Sequence, residues 1–522
     1  MISAVWPLLQ QAEGFAAAKN WARAIDCYER ALQAAPGDAG TLVQLSYVHS
    51  LAGHYRLARE YALRAHATGV RAPKVLSELI PRLRTFNAIE EMQDCIARLL
   101  PMSGIPIPML IKLGAQLSYA NLPGQAIEFL DEAKRADPDF PTTLLARAHV
   151  LMYLGRFEEA RVDVLRALKR APEIAQGYWL LTALGKQTAA DNHVEQIRRQ
   201  LLRPGRSPAD LALLGFALHK ALDDLGEHAD AWEALMIGCR AKRAQLAYDR
   251  SETQAIFRAL HAFPVDAPSR VLEESADELT PIFIVGMHRS GTTLLEQMLS
   301  GAKQLRAMGE LYDFTAAMRM ATDRHCSGVI DRELIRRAQG SDFSEVGRTY
   351  LLGMGWRLQG ERFFTDKLPS NFLNIGFICQ ALPHAKILHM VRDPMEVCFS
   401  NLRELFSDAN PYSYDQADLA NFYRHYQELM RHWHATFPER VLDVDYSELT
   451  RHPERELRRV CDFCGLPFDM AMLDISPRQR GVVTASAVQV REGIVTQPRP
   501  KWVPYAQQLE PLSRILAAVQ HS

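Results

Sequence analysis

Between Gly286 and Thr293 the chain reads Gly-Met-His-Arg-Ser-Gly-Thr-Thr: two glycines, one arginine and three hydroxyls in eight residues. Such a set suits an oxyanion. Glycines let the backbone come close to a ligand, and successive amides at a helix start aim at one point. The spacing nearly fits the phosphate loop G-x-x-x-x-G-K-[ST]. Gly286, Gly291 and Thr293 match it, but Thr292 stands where the lysine belongs, and the cation sits earlier, at Arg289. A nucleoside triphosphatase would lose its charge on the β- and γ-phosphates at this loop. The bland alternative is a tight turn with Arg289 in solvent.

Four further residues could work with this loop. Glu310, in Ala307-Met308-Gly309-Glu310-Leu311, stands shortly after it. A carboxylate near an anion site costs Coulomb energy, and general base work on a neutral acceptor would justify it; an ordinary helix-start glutamate is the other reading. Lys367, in Thr365-Asp366-Lys367-Leu368-Pro369, ends an apolar run and can supply the cation missing from the loop. Arg392 follows the run Ile387 to Val391, and Ser400 lies about two helical turns beyond it. Together they could hold a second anion, for which arginine offers a fixed fork of donors. A surface turn is the bland reading for Lys367.

The elements that must position these residues follow from the same text. Ile282 to Val285 reads as a buried parallel strand, then loop, then a helix carrying Leu294, Leu295, Met298 and Leu299. Phe363 to Pro369 reads as a strand end running into a turn, and Ala385 to Val391 and Arg440 to Tyr446 read as further strands. Open parallel sheets place ligands at the carboxyl ends of their strands, which is where Lys367 and Arg392 stand.

The N-terminal half is periodic. Ala24, Ala58, Ala126 and Ala160 share a register of 34 residues, with Met92 in the remaining place. Ala31, Ala65, Ala133 and Ala167 share it too. This is the tetratricopeptide period, two helices per unit. Five units are predicted from about residues 5, 39, 73, 107 and 141, with helical pairs continuing to about 245. The expected domains are a helical solenoid over 1–245, a closing helix and linker over 246–280, and an α/β domain over 281–522. A solenoid's concave face can take a partner protein or a second copy; the alternative is that it only props the other domain.

Composition excludes little. The 522 residues carry 60 Lys plus Arg against 61 Asp plus Glu, so no global charge favours nucleic acid. No apolar run reaches spanning length and no signal peptide is evident, which predicts a cytoplasmic protein. The eight cysteines are scattered, and Cys461-x-x-Cys464 alone does not make a zinc site. The cysteines are expected in helix cores. His425, His432 and His434 lie in a helical stretch and are expected to pack or face solvent. No metal is expected.

Taken together, these motifs resemble those of the bacterial tetratricopeptide-repeat sulfotransferases, whose catalytic half is similar to tyrosylprotein sulfotransferases. The resemblance covers about 281–515. It implies that Arg289, Ser290, Gly291, Thr292 and Thr293 cradle the 5'-phosphosulfate of 3'-phosphoadenosine 5'-phosphosulfate (PAPS), and that Arg392 and Ser400, at eight-residue spacing, take its 3'-phosphate. It implies Lys367 beside the transferred group, Glu310 as base, Tyr446 on the nucleotide, and Ser486, Lys501 and Trp502 in a late loop over it. Two departures concern the acceptor. The gap from Arg289 to Gly309 is one residue longer than in the tyrosylprotein enzymes, with a single glutamate after the glycine. Tyr312, Asp313 and Phe314 stand where arginines would grip an acidic peptide.

The expectation is therefore a tetratricopeptide solenoid joined to a P-loop-like α/β domain with a mostly parallel sheet. Its reaction would be in-line sulfuryl transfer from PAPS to a hydroxyl on a saccharide, lipid-linked, small-molecule or peptide acceptor, leaving adenosine 3',5'-bisphosphate. Arg289, Lys367 and Glu310 would be catalytic. The alternatives are a nucleotide-dependent phosphotransferase, weakened by the absent lysine, and a repeat scaffold whose second domain has lost catalysis.

Overall fold

The structure, a computed structural model, describes residues 2–265, 279–326, 328–474 and 500–517. Ser486 lies outside the described residues. The chain forms two compact units. One joins 1–136 to 312–353, and the other joins 137–311 to 354–522. The N-terminal part is all-helical and the C-terminal part is built on a parallel sheet, as the sequence predicts.

The first unit holds four helical hairpins: 2–17 with 21–34, 39–52 with 55–67, 73–85 with 89–97, and 107–119 with 123–136. The repeated alanines make this possible. Ala24, Ala31, Ala58, Ala65, Ala126 and Ala133 are all completely buried, so a larger side chain would force the paired helices apart. Gly53 closes one helix in the left-handed conformation, φ 89°.

A segment from the middle of the chain completes this unit. Its helices are Asp313–Thr322, Arg332–Ala338 and Phe343–Leu352. Arg56 donates to the carbonyls of Met320 and Ala321 at 2.8 and 2.6 Å, which are last-turn carbonyls without helical partners of their own. Its amide meets Asp323 at 2.8 Å, Asn87 donates to Asp313 at 2.6 Å, and the ring of His325 packs on Tyr55 and Phe86.

The second unit begins with the hairpin Pro141–Leu154 and Phe157–Arg170, where Ala160 and Ala167 continue the register. Helices Pro208–Leu225 and His228–Arg243 cross at their glycines. A Cβ on Gly215 would meet Gly238 N at 2.5 Å and its Cα at 2.7 Å. Arg250–His261 then packs through Phe257 on Phe422 of helix Gln416–Thr436.

Five strands form the sheet: β1 Thr280–Val285, β2 Leu305–Ala307, β3 Phe363–Asp366, β4 Lys386–Val391 and β5 Val441–Asp445. All pairings are parallel, in the order β2-β3-β1-β4-β5. Side chains alternate along β1. Ile282 and Ile284 join Leu295, Met298, Leu457 and Val460 in a core over one face. Across the opposite layer, Trp433 of helix 416–436 donates to the Phe372 carbonyl at 3.0 Å. Because β1 is flanked by β3 on one side and β4 on the other, its carboxyl end opens at the switch point where such sheets bind ligands. Cys461 and Cys464 are buried in that first core, so the C-x-x-C is a packing pair, and all eight cysteines are buried and free.

The unit boundaries do not follow the repeat-to-sheet transition in the sequence. Helix 208–225 supplies Asp223 to Arg403 at 2.6 Å, and the buried Tyr505 donates to the same carboxylate. The region read as the end of the solenoid is thus part of the compact unit that holds the sheet.

Gly215→Ala tests the crossing. Its new methyl meets backbone, which cannot swing aside, so unfolding of this unit should be easier by about 1–3 kcal/mol in a denaturant titration.

Candidate functional site

Each strand delivers one of the sequence-predicted residues at its carboxyl end. The loop after β1 carries Arg289 and Ser290, β2 leads to Glu310, β3 to Lys367, β4 to Arg392 and β5 to Tyr446. A parallel sheet produces this convergence without special contacts, since all its strands finish on one edge.

The loop is held in an unusual backbone course. Arg289 and Gly291 have φ 69° and 110°, and Gly286 has φ 148°. Gly291 precedes helix Thr292–Leu299 and gives its first turn no side-chain cap, so that turn's amides face the loop. A Cβ at Gly291 would strike the Tyr446 ring at 2.5 Å. The glycine is therefore required twice, by its dihedral and by the ring laid against it. The Ser290 hydroxyl is buried and has no hydrogen-bond partner among the described residues. Two features thus fit a tetrahedral anion: a buried hydroxyl with no partner among the described residues and a cradle with no room for a Cβ.

The cations are each held by a carboxylate. Lys367, fully buried, donates to Glu310 at 2.9 Å. Arg392 donates to Glu396 at 2.8 Å and lies 4.3 Å over the Tyr446 ring. Arg289 donates through Nε to Ser400 at 3.3 Å and faces Glu404 at 3.6 Å. Burial pushes the Arg289 guanidinium below its ordinary value, opposed by Glu404, and pushes the Glu404 carboxyl up, opposed by Arg289 and Arg403. The loops after β1 and β4 are joined directly, because Arg392 also donates to the Arg289 carbonyl at 3.4 Å.

Lys501 enters through its backbone, donating to Glu396 at 2.9 Å. Its exposed side chain lies in the field of Arg403 and Arg289, and its amine is lowered by partial burial first and by these cations next. Trp502 is half-buried and opens the short turn Val503–Tyr505.

Glu310 is positioned through Glu296. That buried carboxylate accepts from Gly309 N at 2.9 Å and from the Thr365 hydroxyl at 2.6 Å, tying the turn before Glu310 to β3. Lys367 N donates to the Gly309 carbonyl at 2.9 Å and closes the same turn. Asp313, the next carboxylate along the chain, accepts from Asn87 and serves the packing of its own helix.

Three residues in this region carry no sequence signal strong enough to single them out: Glu296, Asp223 and Arg403. Glu296 looks like a polar position on an amphipathic helix. Asp223 and Arg403 lie 180 residues apart. Burial alone would raise the Asp223 carboxyl, yet Arg403 and the Tyr505 hydroxyl outweigh it and hold it at about 2.

His288 is the one loop residue whose ring is neutral by design of its surroundings. Burial pushes its imidazole down to about 4, Glu310 opposes this, and Lys367 and Arg289 add to it. Its carbonyl accepts from Asn401 at 2.7 Å, and its ring meets Phe406 edge-to-face.

Residues 281–470 match the model of the sulfotransferase family, and this segment contains the whole cradle. The chain is 29% identical over 402 residues to an uncharacterized protein of Aquifex aeolicus (strain VF5), covering 75% of this chain and 52% of that one. It is 25% identical over 251 residues to protein-tyrosine sulfotransferase 1 of Danio rerio, covering 42% and 65%. The chain thus spans between about half and two thirds of the length of these curated relatives. Among solved structures it is similar to the sulfotransferase domain of the Synechococcus PCC 7002 olefin synthase, with 21% identity, 48% and 98% coverage, and a TM-score of 0.29. No helix among the described residues is long and apolar enough to cross a membrane.

The His288 environment predicts an acid sensitivity. Unfolded, the imidazole takes its proton near pH 6.5; folded, only near 4. The unfolded state binds more protons in between, so stability falls as pH drops from 6.5 towards 4. His149 and His219 are lowered by burial as well and contribute the same sign. Melting curves of His288→Gln should show a shallower loss across this window than the wild type, with the remaining slope due to the other buried histidines.

Proposed function

We propose that this protein transfers a sulfuryl group from PAPS to an acceptor hydroxyl. The observation that carries the reading is the joining of two anion loops at one strand edge, through Arg289 to Ser400 and Arg392 to the Arg289 carbonyl, inside the segment that matches the sulfotransferase family. A donor with phosphosulfate on the 5'-oxygen and phosphate on the 3'-oxygen of one ribose needs two such loops side by side.

In this reading the loop amides, the Ser290 hydroxyl and Arg289 hold the 5'-phosphosulfate. Arg392 and Ser400 hold the 3'-phosphate. Tyr446, braced by Gly291 and Arg392, offers its ring to the nucleotide, with Lys501 and Trp502 beside it. Arg403, steadied by Asp223, adds positive potential beside Arg289. The donor supplies an activated sulfuryl group. Lys367 lies where negative charge develops on that group and on the departing bridge oxygen, and a fixed buried cation counts most there. Glu310 accepts the acceptor's proton as the new S–O bond forms and the old one breaks. The Lys367–Glu310 contact keeps both groups at the reacting centre, 2.9 Å apart.

The phosphotransferase reading lacks a lysine in the loop: Thr292, the residue in that place, starts the helix, and Lys367 comes from another strand. The inactive-scaffold reading has to explain why a buried lysine and a carboxylate, Lys367 and Glu310, stand in contact at the strand edge. The domain boundaries that serve this function are those of the sequence, with the sulfotransferase domain over 281–522 and helices 208–243 as its structural support. The repeats of the first unit are left for acceptor recognition, a partner or a second copy, in the cytoplasm.

Calorimetry with adenosine 3',5'-bisphosphate, followed by mass spectrometry of extracts incubated with PAPS and enzyme, tests the reading; absence of bisphosphate binding by folded protein refutes it. Arg392→Ala should weaken bisphosphate binding by about 2–5 kcal/mol, the cost of leaving a buried charge partner unmatched. Glu310→Gln should bind the bisphosphate at least as well as wild type and lose turnover on the order of 10²- to 10⁴-fold. A phenol acceptor should suffer less than an alcohol, because more of it is already ionised. Full turnover of Glu310→Gln with every acceptor would remove Glu310 as the base.

A further inference from the structure

In the sequence His434 has no carboxylate at metal-ligand spacing; the fold supplies one. β4 and β5 pair in parallel register with His389 opposite Asp443, and the last turn of helix 416–436 brings His434 to the same point. His389 Nδ1 lies 2.6 Å from Asp443 Oδ1, and His434 Nε2 lies 2.7 Å from that same oxygen. The two imidazole rings are neighbours, with centroids 6.0 Å apart and planes tilted by 56°. Donor atoms of all three residues fall within 4.8 Å of one another. The cluster is closed on one side and open on the other: the His389 side chain is 7% exposed, His434 32% and Asp443 54%.

We infer that His389, Asp443 and His434 form a binding site for a transition-metal dication of the Zn²⁺ class, with water completing the coordination from the open side. Two imidazoles and one carboxylate are a donor set that suits such an ion, and three protein ligands leave a position for solvent. The ligands come from two strands and a helix, so their directions are set by backbone pairing and helix packing. Ligating imidazoles are ordinarily oriented through their second nitrogen. Here the buried Tyr426 hydroxyl hydrogen-bonds His389 Nε2 closely. A phenol both donates and accepts, so it holds that ring in either tautomer. Arg459, the cation beside this edge, donates to the backbone carbonyl of Asp443 at 2.7 Å and pairs with Glu456 at 2.8 Å, which leaves the Asp443 carboxylate to the two rings.

Without an ion, the spacings of 2.6 and 2.7 Å are those of hydrogen bonds, each ring donating N–H to the carboxylate. Binding moves each ring proton to the other nitrogen, and for His389 that nitrogen then donates to the Tyr426 oxygen. Ligands about 2.0–2.1 Å from a tetrahedral ion stand roughly 3.3 Å apart, so each contact opens by about 0.6–0.7 Å. Asp443, the most exposed of the three, provides that movement. The bound ion ties the end of helix 416–436 to two adjacent strands, an arrangement that exists only in the folded chain, so binding raises stability. The inference does not rest on the sulfotransferase reading.

The test uses the full-length protein, stripped with a chelator and titrated with Zn²⁺ by calorimetry, with melting temperature as a second readout. The wild type should bind one Zn²⁺ per chain at this site and melt higher with the ion than without it. His434→Leu and Asp443→Asn should each weaken this binding more than tenfold and lose the Zn²⁺-dependent rise in melting temperature. Both positions are partly exposed, so the metal-free variants should fold. Co²⁺ used as a probe should give the wild type a visible absorption spectrum that His434→Leu lacks. No Zn²⁺ binding by the folded wild type overturns the site and leaves a hydrogen-bonded triad. Equal Zn²⁺ affinity and an equal rise in melting temperature in wild type, His434→Leu and Asp443→Asn also overturn it, because the ion is then held by other residues.

Discussion

Buried cations must be charged, in place and partnered, and this requirement shapes the site. Four are gathered at or beside the cradle, and each has a carboxylate: Lys367 with Glu310, Arg289 with Glu404, Arg392 with Glu396, and Arg403 with Asp223. Desolvating an unpaired guanidinium or ammonium costs several kcal/mol, so the partners are a condition of assembling the cations at all. An anion entering such a site exchanges partners with carboxylates already there. Affinity then comes from geometry, through amides and bidentate arginines, more than from raw charge. The carboxylates arrive from a turn after β2, from helix 394–402 and the residues after it, and from helix 208–225, which explains why elements so distant in sequence pack together.

The sheet makes that gathering inexpensive in information. Its strands all end on one edge, so one residue near each carboxyl end is enough to build a five-sided site. What the sheet cannot do is satisfy the amides beyond its last paired residue. That task falls to Glu296 under Gly309 and to the Pro369 carbonyl, which accepts from Gly286 N at 3.2 Å.

Much of this was legible in the sequence because it is local or periodic. The alanine register marked the hairpins at the positions where they occur, and the cradle motif, its strand and its helix are contiguous. Lys367 and Arg392 could be placed because strand ends are recognisable from apolar runs followed by turn residues. The remainder is non-local. Nothing near Asp223 says that Arg403 will need it, and nothing near Asn87 says that Asp313 will arrive. His434 read as a surface or packing histidine because its carboxylate, Asp443, lies on a strand whose register must first be known. Arg319 to Arg357 read as helical text without chemistry; the placement of helices 313–352 against the hairpins is a matter of packing, which composition does not encode.

That placement has a consequence for how the chain is made. A ribosome releases residues in order, but the N-terminal compact unit includes 312–353, so its own first 136 residues do not complete it. The guanidinium of Arg56 and the amide of Asn87 wait for carbonyls and a carboxylate that emerge only after β1, its loop and β2 have been synthesised. The early hairpins can form their local contacts, yet the last surface of that unit closes only after 312–353 has emerged, still before β3, β4 and β5 are made. A pause or truncation before residue 353 thus leaves the repeats with an uncovered face.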